Sequence, residues 1–160
     1  VLGEKPEHPH FHLCSGQLSF SDIIRIVPEG GKFSKGYVYA RKEVNPEDWF
    51  FPCHFHGDPV MPGSLGVEAI IQALQAFALQ QGIGNSFKSP RFLPVLSKVA
   101  WKYRGQIIPQ NKYMQLDLHV KNIYQKEGQV VLTADSNLWR EHLRIYEIFV
   151  IVVRISEPEK

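Results

Sequence analysis

The strongest hydrophobic pattern in the chain lies over residues 64–81, where apolar side chains occupy nearly every face of a helix. Pro62 and Gly63 break the preceding chain, and Ser64 can cap a helix. Gly82 stands where a C-terminal glycine would end it. Because a helix that is apolar all round must be surrounded by protein, the pattern predicts one long, buried central helix.

The remaining segments favour β-structure. Runs rich in β-branched and aromatic residues, separated by turn-forming residues, predict strands. Their sequences are GYVYARKEV, LSKVAWKYRGQI, KYMQLDLHVKNIY, GQVVLTADSNLW and RIYEIFVIVVRI, and SDIIRIVPEGG is typical of a strand or a short helix. One helix against a single antiparallel sheet that curls around it is an α+β fold with segregated elements.

A chain of 160 residues is most naturally one domain. The beginning of the chain is rich in His and Pro and resembles a solvated tail. We therefore expect a tail or linker over residues 1–13, one domain over residues 14–156 and a short tail over residues 157–160. Three histidines alternate in the first tail, but the interleaved prolines argue against a metal site there. They are His8, His10 and His12.

The composition is ordinary for a folded protein, with 44% hydrophobic and 21% charged residues, which argues against disorder. A net charge of +2, with the basic residues scattered, is too small to indicate a nucleic-acid partner. Cys14 and Cys53 are far apart and form no CxxC pair, which favours a reducing compartment. No apolar run is long enough to span a membrane, so we expect a cytoplasmic protein without a membrane partner.

Glu68 is the one carboxylate within the apolar helix. A buried carboxylate costs several kcal/mol unless it is paired, hydrogen-bonded or protonated. One interpretation is structural, namely an ion pair with a core-facing Lys or Arg or exposure of the carboxylate at a groove. The other is an acid used in catalysis. Gln72 and Gln75 share its face of the helix, because their spacing is four and then three.

His54 lies shortly before Glu68, and the Pro-Gly turn between them could bring its imidazole over the first turn of the helix. His56 completes an H-x-H pair, a spacing that metal ligands use, but the glutamate of a cupin-like site is missing and we expect no metal. Asp58 is interpreted as structural, fixing the loop. Gly63 can offer its backbone N–H to a ligand oxygen, although a plain helix-entry turn would look the same.

Taken together, "WFFPCHFHGDPVMPGSLGVEA" (residues 49–69) closely resembles the signature of the β-hydroxydecanoyl-ACP dehydratase/isomerase family. The segments "GGKFSKGYVYARKEVNPEDWFF" and "KVAWKYRGQIIP" extend the similarity, which runs from about Leu18 to Ile155. Members of this family are hotdog-fold enzymes that dehydrate 3-hydroxyacyl thioesters. The resemblance implies a hotdog fold, in which a curved antiparallel sheet wraps a long central helix.

The resemblance also implies roles for individual residues. His54 takes the position of the catalytic histidine, which removes a proton from C2, and Glu68 takes that of the acid, which assists departure of the C3 hydroxyl. The amide of Gly63, with Ser64 beside it, would polarise the thioester carbonyl. The candidate tunnel walls are Phe50, Phe55 and Val60, and the candidate carrier-protein rim residues are Lys121 and Lys126.

Two positions depart from the bacterial isomerase, which typically has Asp in place of Glu68 and Cys in place of Ser64. Glutamate is used by the sister family of general 3-hydroxyacyl-ACP dehydratases, and dehydratase domains of polyketide and polyunsaturated-fatty-acid synthases look similar. We therefore expect dehydration to the trans-2-enoyl thioester, and trans-2 to cis-3 isomerisation stays open.

The resemblance implies an acyl carrier protein as partner, no cofactor, and a homodimer in which the histidine and the acid of each site come from different subunits. Two alternatives stay open from the sequence. One is a hotdog thioesterase, which normally needs a carboxylate to activate water. The other is a non-catalytic hotdog domain that docks an acyl carrier protein.

Overall fold

The computed structural model describes residues 10–95 and 98–158. Its one long helix is α1 (Gly63–Gln80), preceded by a 3-10 turn (Gly16–Leu18). The strands are β1 (Ile23–Val27), β2 (Tyr37–Glu43), β3 (Arg91–Phe92), β4 (Trp101–Tyr103), β5 (Tyr113–Lys126), β6 (Gln129–Arg140) and β7 (Leu143–Ser156). They form one antiparallel sheet in the order β1-β2-β5-β6-β7-β3, with β4 also paired to β7.

The three long strands β5, β6 and β7 form two successive hairpins and carry most of the sheet. The predicted alternation is present in β5, where Met114, Leu116, Leu118 and Val120 are buried and the residues between them face outward. The β5–β6 turn is Glu127–Gly128, and both residues have positive φ (51° and 75°). A two-residue turn with positive φ at both positions matches the twist of the strands that it joins.

The helix α1 is surrounded by the sheet, as its all-round apolar sequence predicts. It contacts β1, β2, β5, β6 and β7, and most of its side chains are buried. Gly36, at the start of β2, has φ +142°, and a Cβ there would overlap the ring of Phe77. The sheet can therefore approach the helix this closely only because residue 36 has no side chain.

The ends of α1 test the predicted boundaries, which were residues 64–81. At the C-terminus, Gly82 has φ +64°, its N–H donates to Leu79 O (3.1 Å), and Ile83 N–H donates to Ala78 O (2.9 Å). These two bonds form a Schellman motif, so the predicted role of Gly82 is confirmed. The predicted cap at Ser64 is wrong, because the helix begins at Gly63, its N-cap residue is Pro62, and no side chain caps it.

The segments around the helix are less regular than the sequence predicts. In the run LSKVAWKYRGQI, the described residues 98–107 contribute the three residues of β4, and the short strand β3 was not predicted. Phe11 falls in the segment predicted as a tail, yet it is buried and packs on Phe92 with the ring centroids 4.7 Å apart. His8 lies outside the described residues. The other predicted domain limits stay a prediction.

Neither a metal-binding cluster nor a membrane-spanning helix is found among the described residues. Within residues 10–95 and 98–158, no three His, Cys, Asp or Glu side chains are grouped closely enough to hold a metal ion. Among the same residues, no helix has the length and apolar character needed to cross a membrane.

The packing of α1 on β7 gives a stability prediction. A Cβ at Gly66 would overlap the ring of Tyr146, so we expect Gly66→Ala to lower the free energy of unfolding by about 1–3 kcal/mol. Chemical denaturation measures this change. In a Tyr146→Leu background the overlapping ring atoms are gone, and the same substitution should be neutral or stabilising, since Ala favours helix over Gly by about 1 kcal/mol. An equal loss in both backgrounds would contradict the packing described here.

Candidate active site

The loop between β2 and α1 carries His54. Two adjacent aromatic side chains in this loop, Phe50 and Phe51, are buried (3% and 2% exposed) and anchor it to the core. The backbone N–H of His54 donates to Phe50 O at 3.0 Å, which ties the histidine to this anchor. His54 itself is half-buried, so its ring is held by the fold while one side remains accessible.

The ring of His54 has a defined orientation and a defined tautomer. Its Nδ1 lies 3.0 Å from Val60 O. Because a carbonyl oxygen can only accept, Nδ1 carries the proton, and Nε2 of the neutral ring holds the free lone pair. The Val60–Met61 peptide is fixed in turn, since Met61 N–H donates to Ile107 O at 2.9 Å. The arrangement presents Nε2 as a base.

The first two amides of α1 are available for a ligand. The first hydrogen bond of the turn runs from Leu65 N–H to Pro62 O (3.0 Å). In the described part of the chain, no protein acceptor contacts the N–H of Gly63 or Ser64. Unpaired amides at a helix N-terminus lie at the positive end of the helix dipole and bind oxygen atoms that carry negative charge.

Two tyrosines flank this helix start. The Tyr146 hydroxyl donates to Gly63 O at 3.1 Å, and the ring of Tyr103 lies against Gly63. The two rings are 5.2 Å apart. Burial raises the pKa of Tyr146, to which the neighbouring Tyr103 adds, so the buried hydroxyl stays protonated and acts as a donor.

Glu68 lies on the second turn of α1 and is half-buried. Its Oε1 accepts a hydrogen bond from Gln72 Nε2 at 3.1 Å. Among the described residues, no Lys, Arg or His forms an ion pair with it. The structural ion pair considered from the sequence is therefore not found there, and the partner of Glu68 is a neutral amide.

Gln72 holds the carboxyl group of Glu68 in place through a hydrogen bond, a role that the sequence did not reveal. It is buried (4% exposed); its Oε1 accepts from Phe20 N–H (3.1 Å), and its Nε2 donates to Leu18 O (2.8 Å) as well as to Glu68. The backbone of the 18–20 segment thus fixes which end of the amide faces Glu68. A polar residue four positions after the acid, on an otherwise apolar helix, was the signal that could have identified it.

The residues predicted for the acyl tunnel and the carrier-protein rim differ in burial and in contacts. Phe50 and Val60 are buried, whereas Phe55 is 58% exposed and packs on His54 with the ring centroids 4.2 Å apart. Lys121 pairs with Asp135 at 3.3 Å. The other rim residue, Lys126, is exposed at the end of β5.

A single chain does not join the base to the acid. Over the residues that the structure describes, no hydrogen bond or ion pair links His54 to Glu68. Neither side chain lines any of the five best-defined cavities in that part of the molecule. The largest of these, about 310 Å³, lies on the outer face of the sheet between Tyr37 and Trp139. Within residues 10–95 and 98–158 the parts of a site are therefore present, but none of these five cavities joins them.

The sequence matches the family described as the FabA-like domain over residues 13–149. The chain belongs to the FabA-like domain family. It is also 42% identical over 161 residues to one of the subunits of a polyunsaturated fatty acid synthase from Thraustochytrium sp. (strain ATCC 26185 / S-3). That alignment covers 99% of this chain and 11% of the relative, so the FabA-like chain spans a small part of the relative's length.

Solved structures support the fold. The dehydratase heterocomplex ApeI:P from Xenorhabdus doucetiae superposes with a TM-score of 0.55 at 11% identity, covering 95% of this chain and 91% of that one. A hypothetical thioesterase with coenzyme A from Streptococcus pneumoniae TIGR4 gives a TM-score of 0.50 at 10% identity, with 88% and 91% covered. The predicted family resemblance and the predicted hotdog fold are confirmed.

The Gln72 network gives a second stability prediction. Gln72→Ala leaves the buried Phe20 N–H without its acceptor, and we expect a loss of about 1–3 kcal/mol in the free energy of unfolding. Gln75→Ala is the matched control, because Gln75 shares the helix face but makes no side-chain hydrogen bond among the described residues. Urea denaturation of both variants measures the difference. Equal stabilities would show that the amide does not tie the 18–20 segment to α1.

Proposed function

We propose that this FabA-like domain dehydrates a 3-hydroxyacyl thioester, carried on an acyl carrier protein, to the trans-2-enoyl thioester. The observation that carries the proposal is the hydrogen bond between His54 Nδ1 and Val60 O. It leaves Nε2 as a base in the segment that leads into α1, whose first two amides have no protein acceptor among the described residues. The 42% identical relative is named as part of a polyunsaturated fatty acid synthase, and fatty acid synthesis uses this dehydration.

The reaction follows from the local chemistry. The N–H groups of Gly63 and Ser64 bind the thioester oxygen and stabilise the charge that develops on it, which acidifies C2. His54 Nε2 takes one proton from C2, and the electron pair of that bond forms the C2–C3 double bond. The C3–O bond breaks, Glu68 gives a proton to the departing hydroxyl, and water leaves. No redox partner is required.

The surroundings of Glu68 favour the role of acid. Its partner in the described chain is the amide of Gln72, which donates to Oε1. The other carboxyl oxygen is left to carry the proton that the C3 hydroxyl receives. A cationic partner would instead hold the group as a carboxylate. For cis-3 isomerisation, one of the two groups takes a proton from C4 of the trans-2-enoyl product and a proton is returned to C2, which moves the double bond to C3–C4. This isomerisation belongs to the same proposal as an optional second step.

We further propose a homodimer in which His54 of one protomer meets Glu68 of its partner. In the described part of one chain, no hydrogen bond or ion pair links the two groups, which supports this arrangement. So does the short strand β4, which lies along β7 and leaves Trp101 exposed (40%), as is Phe149 of β7 (51%). Exposed aromatic side chains on a short edge strand are typical of a surface that a second chain covers.

The remaining predictions stay proposals. Phe50, Phe55 and Val60 would line the acyl tunnel once two chains assemble. Lys126 is the better placed carrier-protein residue, since it is exposed whereas the charge of Lys121 is shared with Asp135. A cytoplasmic location is supported by the cysteines, because Cys14 and Cys53 are both free.

The base and the acid are tested by single substitutions. We expect His54→Ala and Glu68→Ala each to reduce enoyl thioester formation by about 10²–10⁴-fold, the usual contribution of one general acid or base. His56→Ala is the matched control, because His56 is exposed, lies two residues away and should keep full activity. Enoyl absorbance during incubation with a 3-hydroxyacyl thioester is the measurement. Free thiol as the product would indicate a thioesterase instead, and no product from the unmodified protein would indicate a docking domain.

The shared site is tested by mixing two inactive variants. When His54→Ala and Glu68→Ala chains exchange partners, each mixed dimer has one site with both groups intact. Random pairing then restores about a quarter of the unmodified activity. Co-expression with two different affinity tags isolates the mixed dimer for assay. Activity no higher than that of either parent would place His54 and Glu68 of one site on the same chain.

A further inference from the structure

Tyr146 lies directly under the start of α1, where the proposed carbonyl site is formed. It comes from near the beginning of β7 and is only 3% exposed. Its hydroxyl donates to Gly63 O at 3.1 Å. Its ring fills the space that a side chain at position 66 would occupy. The absence of a side chain at Gly66 therefore lets the ring lie against the helix and reach the first carbonyl.

The Gly63 carbonyl and the Ser64 N–H belong to the same peptide group. A donor at the oxygen polarises the whole group, so its N–H becomes a stronger donor. The bond also fixes the orientation of the peptide plane, because β7 is a central strand, paired on both sides with β6 and β4. Of the two free amides at the helix start, the one coupled to Tyr146 is that of Ser64.

We propose that Tyr146 is a positioning residue for the thioester carbonyl, acting through the Gly63–Ser64 peptide, whose N–H receives the carbonyl oxygen. The inference rests on the proposed function and adds to it a residue that does not touch the substrate. It assigns the stronger of the two carbonyl contacts to Ser64 N–H. In this proposal the ring of Tyr146 packs against Gly66, and its hydroxyl orients and polarises the Gly63–Ser64 peptide.

Tyr103 provides the matched control. Its ring stacks near that of Tyr146 and lies against Gly63. In the described part of the chain its hydroxyl makes no hydrogen bond, and the residue is half exposed. Tyr103→Phe and Tyr146→Phe therefore remove the same atom from neighbouring rings, but only the second breaks a bond to the helix start.

The experiment combines kinetics with ¹³C NMR of a bound thioester. The probe is a saturated acyl-pantetheine thioester labelled at the carbonyl carbon, which has no C3 hydroxyl and cannot react. We expect the bound carbonyl carbon to resonate downfield of the free thioester. Tyr146→Phe should lose part of this displacement and about tenfold in kcat, with KM within about twofold, a smaller effect than deleting a direct oxyanion donor. Tyr103→Phe should match the unmodified protein in both measurements.

Two results would overturn the proposal. One is a Tyr146→Phe protein that equals the unmodified protein in kcat and in carbonyl displacement. The other is a fall in kcat with an unchanged displacement, which would make Tyr146 a purely structural residue. If Tyr146→Phe fails to fold, 3-fluorotyrosine at position 146 keeps the shape and strengthens the donor; it should increase the displacement, and an unchanged value would also overturn the proposal.

The proposed function can fail separately. If the unmodified protein forms no enoyl product but still displaces the bound carbonyl resonance, and Tyr146→Phe reduces that displacement, the dehydratase proposal fails while the role of Tyr146 stands. If the enoyl product forms and the carbonyl displacement is the same in the unmodified protein and in Tyr146→Phe, the dehydratase proposal stands and the proposed role of Tyr146 fails.

Discussion

One peptide group, between Val60 and Met61, holds the candidate site together. Its carbonyl accepts from His54 Nδ1, and its N–H donates to Ile107 O. The base is therefore fixed to the segment that leads into α1, and that segment is fixed to the chain that follows β4. The amides of α1 that have no protein acceptor among the described residues begin only a few residues later, at Gly63. The same segment therefore positions both the base and the carbonyl site. Precise placement of this kind is what proton transfer next to a thioester requires.

The burial of α1 determines how an acid can be carried on it. A charged partner for Glu68 would have to be desolvated as well, and the pair would hold the group ionised. The chain instead provides Gln72, a neutral amide whose own groups are satisfied by the backbone at Leu18 and Phe20. This choice places no second charge beside the half-buried carboxyl of Glu68. The FabA-like domain thus meets the constraint of an apolar helix with hydrogen bonds alone.

Features determined by local sequence could be predicted, and those that depend on distant contacts could not. The C-terminus of α1 followed from Gly82, because a Schellman motif involves only adjacent residues. The residues of the candidate site were found because they form a contiguous motif. In contrast, Gln72 bonds to Phe20, 52 residues away, and Tyr146 meets Gly63 across 83 residues. The burial of Phe11 likewise depends on Phe92, and no pattern near either residue indicates the pairing.

The fold, through the Val60 carbonyl, makes Nε2 of His54 the proton acceptor. Long-range ¹H–¹⁵N correlation NMR of the full chain, with His54 assigned by comparison with His54→Ala, tests this directly. At a pH where the ring is neutral, we expect a pyrrole-type Nδ1 that carries the proton and a pyridine-type Nε2 that does not. The opposite pattern, with the proton on Nε2, would contradict it.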